Sequence, residues 1–304
     1  MNDQAERLRR LVESRMQGST SPSLDPQKER DTRVITVTSG KGGVGKSNFT
    51  LNFSIALQQL GYQVLIFDAD IGLANIDVLM GISPSYSLYH LLKKEKSIFD
   101  IVQIGYGGVR FIAGGSGFTD LLRLSDEELN DFAEQVSLLN GHFDFILFDT
   151  GAGLSKETLK FILAAHETFV VTTPEPTSLT DGYAIIKMVH QMEGGVPFQL
   201  VINRVTDEKE GKVTSEKISL VAKRFLGIDI PTLGYIKDDV HVSRAVRKQI
   251  PFTAAYPGSD AAKEIRVIAE RYAGLHRASR QNSPAPGIKG FLSKMLRLLN
   301  QPPS

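Results

Sequence analysis

Nine consecutive residues, Ser39-Gly40-Lys41-Gly42-Gly43-Val44-Gly45-Lys46-Ser47, combine glycines, two lysines and two serine hydroxyls. With no Cβ at 40, 42, 43 and 45, successive backbone N–H groups, that of Val44 included, can turn inward onto an anion. Lys46 adds a point charge, and the Ser47 hydroxyl offers a ligand to the Mg²⁺ that accompanies a nucleoside triphosphate. The chemistry is phosphate binding. Two acidic positions follow apolar runs further on: Asp68-Ala69-Asp70 after Val64 to Phe67, and Asp149 after Phe145 to Phe148. Asp70 could orient a water and Asp68 could reach the metal shell, the alternative being that both cap a strand or start a turn. Asp149 leads into Thr150-Gly151-Ala152-Gly153, a small-residue turn that lets an acid sense Mg²⁺ through water while Gly151 permits close approach.

The elements that must hold these groups alternate along the chain. Val34 to Thr38 is β-branched and apolar, and Asn48 to Leu60 repeats apolar residues at helical spacing, so the glycine stretch sits between strand and helix. Val64–Phe67 and Phe145–Phe148 are short, wholly apolar runs of the kind a strand buried on both faces shows. Strand-like runs up to Thr173 and at 198–202 then alternate with helical ones at 178–192 and 214–225. This predicts an α/β fold with a doubly wound, mostly parallel sheet and helices on both faces. The carboxyl ends of neighbouring strands then face one crevice. Asn203 and Arg204 close the strand at 198–202 on that edge; the Asn amide can pair with an adenine edge, and Asp238 belongs to a candidate far wall of the base pocket. No Asn-Lys-x-Asp tetrad follows Asn203, which favours ATP over GTP.

The ends of the chain read differently. Three regions are predicted: residues 1–32, a short helix and linker; 33–275, the nucleotide-binding domain; and 276–304, a linker and final helix. In the last, Ile288, Phe291, Leu292, Met295, Leu296 and Leu299 form one stripe, with Lys289, Lys294 and Arg297 opposite. Residues 271–304 carry six Lys or Arg and no acid, leaving −5 for the rest of a chain whose net charge is +1. The stripe therefore reads as a membrane-surface helix on anionic lipid, the alternative being a helix docked on its own domain. The mildly acidic body argues against nucleic acid as a partner. With no cysteine, disulfides, thiolate metal sites and cysteine-ligated clusters are excluded. No signal segment or apolar run near ~18 residues is present, so a cytoplasmic location is expected. The six histidines show no zinc-ligand spacing, and no Gly-x-Ser-x-Gly elbow supports hydrolase chemistry through serine.

Lys41 is an addition that an ordinary Walker A loop does not need, and Lys-Gly-Gly-Val-Gly-Lys-Ser resembles the deviant Walker A motif of the MinD/ParA ATPases. Residues 67–77, 149–153 and 173–177 are similar to further motifs of that family, over about Val34 to Tyr272. The resemblance implies a MinD-like P-loop NTPase that hydrolyses ATP with Mg²⁺. It implies an ATP-sandwich homodimer in which Lys41 reaches the partner's phosphates, Asp70 positions the attacking water, and Lys46 and Asp149 complete the catalytic set. Asp3-Gln4-Ala5 with Leu8-Arg9 resembles the activator motif of the flagellar-number regulators, the FlhG, FleN or YlxH branch. That branch implies stimulation of the signal-recognition-type GTPase FlhF by the leader, contacts with the C-ring components FliM and FliN, and cycling between cytosol and inner membrane face. A MinD-type septum-placement ATPase and a ParA-type partition ATPase are the alternatives.

Overall fold

The computed structural model describes residues 32–70, 75–114, 125–192, 195–280 and 287–299. Eight strands, β1 (Arg33–Thr38), β2 (Val64–Ala69), β3 (Gln103–Ile104), β4 (Arg110–Ile112), β5 (Phe145–Thr150), β6 (Glu167–Thr172), β7 (Phe198–Val205) and β8 (Thr232–Lys237), form one sheet. Their order is β3-β4-β2-β5-β1-β6-β7-β8, and every pairing is parallel except the edge pair β3–β4. The apolar runs are buried on both faces because both faces carry helices. Alternation then sorts each strand: Ile35, Val37, Phe145 and Leu147 pack on one side, Val34, Ile146 and Phe148 on the other.

The first side is covered by α1 (Lys46–Gln59), α2 (Ile76–Met80), α8 (Val240–Lys248), α9 (Phe252–Ala255) and α10 (Asp260–Arg280). The second side is covered by α3 (Leu88–Leu92), α4 (Asp126–Ser137) and α11 (Gly287–Leu299) over β2, β5 and β1, with α5 (Lys156–Ala164), α6 (Pro176–Met192) and α7 (Glu208–Leu226) toward β6 and β7. Phe49 and Phe53 of α1 stack at 5.1 Å, and Tyr272 of α10 meets Phe53 edge-on at 5.6 Å, so an aromatic column fixes α1 beneath the glycine loop. Tyr272 donates to the buried Glu167, which also takes Arg33 Nε at 2.6 Å and Gln199 Nε2 at 2.9 Å. A buried carboxylate with that many donors is tolerated in the fold.

Helix α11 differs from the free amphipathic segment expected from its sequence. Ile288, Phe291, Leu292 and Met295 are buried in the second-side core, and Leu296 packs partly against it. Phe291 stacks on Phe148 at 4.8 Å, and Lys294 Nζ donates to the Leu163 carbonyl at 3.0 Å, near the end of α5. The boundary expected at 275 falls inside α10. The physical reason is that an apolar stripe records only that one face leaves water; here Phe148 of β5 and Phe161 of α5 need covering, and the stripe covers them. The side-chain environment of Leu299 and the leader residues Asp3, Gln4, Ala5, Leu8 and Arg9 lie outside the described residues.

Candidate nucleotide site

The glycine loop leaves β1 and closes on α1, whose N-terminal cap is Gly45 in the left-handed region at φ 95°. The first N–H groups of α1 thus face the loop, the arrangement that favours an anion. Glycine is demanded at two points by close approach. A Cβ on Gly40 would lie 2.2 Å from the Asp181 carbonyl carbon in α6, and one on Gly45 would lie 2.3 Å from Asn203 Nδ2.

Asn203, expected to read adenine, lines the cleft with its amide already partly engaged. Its Nδ2 donates to the Val44 carbonyl at 2.7 Å, so that donor braces the loop. Arg204, beside it on a strand irregularity, is exposed with φ 57°, and exposed Asp238 follows β8 at the same edge. These residues share one cleft of about 1460 Å³ with the glycine loop, Lys46, Ser47, Asp70 and residues of α8. The structure thus brings the residues expected at the two ends of the site into one cleft.

Lys46 is nearly buried, and its Nζ lies 3.0 Å from Asp149 Oδ1 and 4.0 Å from Asp70 Oδ2. The Thr50 hydroxyl, one helical turn after Lys46, lies 2.9 Å from the same Asp149 oxygen. Asp149 is fully buried, and its Oδ2 has no hydrogen-bond partner among the described residues. A buried carboxyl oxygen left without a partner at the end of β5, facing the glycine loop, suits a cation or its water. Ser47 is adjacent, its Oγ 3.4 Å from Lys46 Nζ. Ser47 and Asp149 thus fit a Mg²⁺ ion, which when bound would neutralise charge on the phosphates.

Asp68 differs from the metal ligand expected of it. Its Oδ2 accepts the N–H groups of Asn75 at 2.8 Å and Ile76 at 3.0 Å, so it holds the N-terminus of α2, and its Oδ1 takes the more distant Asp70 N–H at 3.4 Å. Burial, with Asp149 in register on the neighbouring strand, pushes its pKa up to about 7. Asp70 is more open. Burial raises its pKa above the usual carboxylate value, Lys46 opposes this, and Asp149 adds to it. A carboxyl so placed at the rim of the phosphate end can accept a proton from water.

Lys41 turns the other way. Its Nζ lies 3.0 Å from Glu175 Oε2 and 3.3 Å from the Thr177 hydroxyl, on the outer side of the loop. Sequence reasoning assigned no role to Thr50 or this use of Glu175 and Thr177. Thr50 stands four residues after Lys46 and could have been paired with it on the helix, but nothing local ties it to Asp149.

The strand–loop–helix with its lysine–aspartate pair, at the carboxyl edge of a parallel sheet, defines a P-loop nucleotide-binding protein. The sequence profile of the ParA family, described as NUBPL iron-transfer P-loop NTPase, matches residues 30–273, and the chain belongs to this family of MinD/ParA P-loop NTPases. It lacks the cysteines that a thiolate-held cluster would need. The antiactivator FleN of Pseudomonas aeruginosa is 36% identical over 79% of this chain and 85% of its own length. The flagellum site-determining protein YlxH of Helicobacter pylori is 34% identical over 98% of this chain and all of its own. Among solved structures, the cell division ATPase MinD of Pyrococcus furiosus superposes with a TM-score of 0.66 at 27% identity, covering 80% of this chain and 99% of that one. The septum site-determining protein MinD of Pyrococcus horikoshii, complexed with Mg-ADP, gives 0.66 at 26% identity, covering 81% and 97%. Among the described residues no helix is long and apolar enough to cross a membrane.

Proposed function

We propose that this protein is an ATP-hydrolysing, ATP-dependent dimerising switch that controls flagellar number and placement. The observation that carries the nucleotide chemistry is the buried Lys46–Asp149 pair, whose second Asp149 oxygen lacks a partner among the described residues beside Ser47. Lys46 holds the phosphates, Ser47 and Asp149 hold Mg²⁺, and Asp70 orients the attacking water. Lys41, already on the outer side of the loop, serves the nucleotide of a second copy. The flagellar assignment is supported by the likeness to FleN and YlxH, the latter over nearly the whole chain.

In this reading the leader around Asp3, Gln4, Ala5, Leu8 and Arg9 stimulates the GTPase FlhF, and the body engages FliM and FliN. The apolar face of α11 is docked in the described state, so its use on an anionic membrane requires undocking, which ATP-driven dimerisation supplies. Phosphate release from Mg-ATP by the purified chain, abolished in Lys46→Ala, tests the enzyme assignment. A peptide of residues 1–16 tests the leader. It should raise GTP turnover by FlhF, and equal stimulation by full-length protein and by a chain starting at Thr32 would remove that part of the proposal.

A further inference from the structure

Helix α2 is held at both ends by side chains outside it, one a few residues upstream and one far along the chain. Its N-terminus hangs on Asp68, through the N–H groups of Asn75 and Ile76 at 2.8 and 3.0 Å. In its last turn the Val78 carbonyl accepts a hydrogen bond from Gln249 Nε2 at 3.2 Å. Gln249 closes α8 in the left-handed region at φ 54°, an uncommon conformation for a residue with a side chain. Opposite it, Gly81 closes α2 at φ 61°, and a Cβ there would come within 3.1 Å of the Gln249 Cβ. Two helix ends are therefore packed back to back, and one side-chain hydrogen bond joins them.

Both helices border the nucleotide cleft, and α2 also hangs on the strand end that carries the phosphate-side acids. Asp68 stands in register with Asp149 and two residues before Asp70, at the phosphate end. Val242 and Val246 of α8 and Leu79 of α2 line the cleft along with Asp238 and Asp239, the side the ATP reading assigns to the base. The base-end wall has a second fixed point, because Thr253 of α9 donates through its N–H and hydroxyl to Asn52 of α1 at 3.0 and 2.8 Å. With that point anchored, a displacement of α2 reaches α8 through the Gln249 contact.

We infer that Gln249 is a positioning residue that couples the phosphate end of the site to its base end through α2. The inference rests on the ATP reading above. A triphosphate fills both ends at once, so ordering one lowers the cost of ordering the other; a diphosphate leaves the far phosphate contacts unmade and gains little from the tie. Gln249 thereby contributes to the preference for triphosphate over diphosphate without touching either.

The test is the ratio of dissociation constants for a non-hydrolysable ATP analogue and ADP, both with Mg²⁺, in full-length protein. Gln249→Asn keeps tolerance of the left-handed backbone but cannot reach Val78; Gln249→Glu keeps the length and removes the donor. Both variants are expected to lose roughly three- to tenfold in the triphosphate preference, the scale of one hydrogen bond, with ADP affinity within about twofold of wild type. Parallel weakening for the two nucleotides would show a merely structural contact and overturn the inference, as would an unchanged ratio in both variants. Wild-type protein that binds neither nucleotide would overturn the ATP reading itself, and the coupling with it.

Discussion

The ring of Phe291 lies on that of Phe148 with 4.8 Å between centroids and 23° between planes, one residue before Asp149. Helix α11 is thus part of the core that backs the strand carrying Asp149. Phe291→Ala in nucleotide-free protein is expected to cost about 3–5 kcal/mol, the range for emptying a buried aromatic site. Urea unfolding measures this, and a loss under about 1 kcal/mol would mean that α11 contributes little to the folded state. On vesicles containing anionic lipid, binding should need ATP, and Phe291→Glu should abolish it. Equal pelleting in ADP would count against an ATP-controlled release.

The two lysines of the loop should separate cleanly. Lys46→Ala removes the charge beside Asp149 and is expected to weaken Mg-ATP binding on the order of 10²-fold or more. Lys41→Ala, whose amine faces Glu175 and Thr177, should leave nucleotide binding by the single chain within about threefold, because an exposed pair contributes little. It should nevertheless prevent dimerisation in ATP. Calorimetric titration with the ATP analogue reads the first difference and sizing the second; comparable loss of binding in both variants would contradict the division of roles.

Asp68 sets a pH dependence. Burial, with Asp149 opposite, raises its pKa from 3.8 to about 7, so the fold favours the protonated form. Its contribution to stability is present below the unfolded value and is lost as pH rises through the folded one. In metal- and nucleotide-free protein, Asp68→Asn should therefore gain in melting temperature relative to wild type between about pH 5 and pH 8. A difference that stays flat over that range would show that Asp68 is ionised throughout.

What the sequence disclosed follows from how local each signal is. The loop, its strand and its helix are contiguous, so the phosphate site could be read from residues 34–60. The runs ending in Asp70 and Asp149 are short-range patterns too, and their convergence follows from the parallel sheet. Asn203 on Val44 and Gln249 on Val78 join positions far apart in the chain, Asp68 reaches α2 only seven residues on, and in each case an amide or carboxylate carries no mark of which donor or acceptor it will meet. The stripe at 288–296 states that a face is hidden and leaves open whether lipid or the chain's own sheet hides it.

The most direct measurement is the mass in solution of Asp70→Ala, a variant expected to keep Mg-ATP and to slow hydrolysis by about 10²-fold or more. Light scattering should give a dimer in Mg-ATP and a monomer in Mg-ADP, with Lys41→Ala added in the same chain restoring the monomer. A protein that stays monomeric in saturating Mg-ATP, or is equally dimeric in both nucleotides, would contradict the ATP-driven switch.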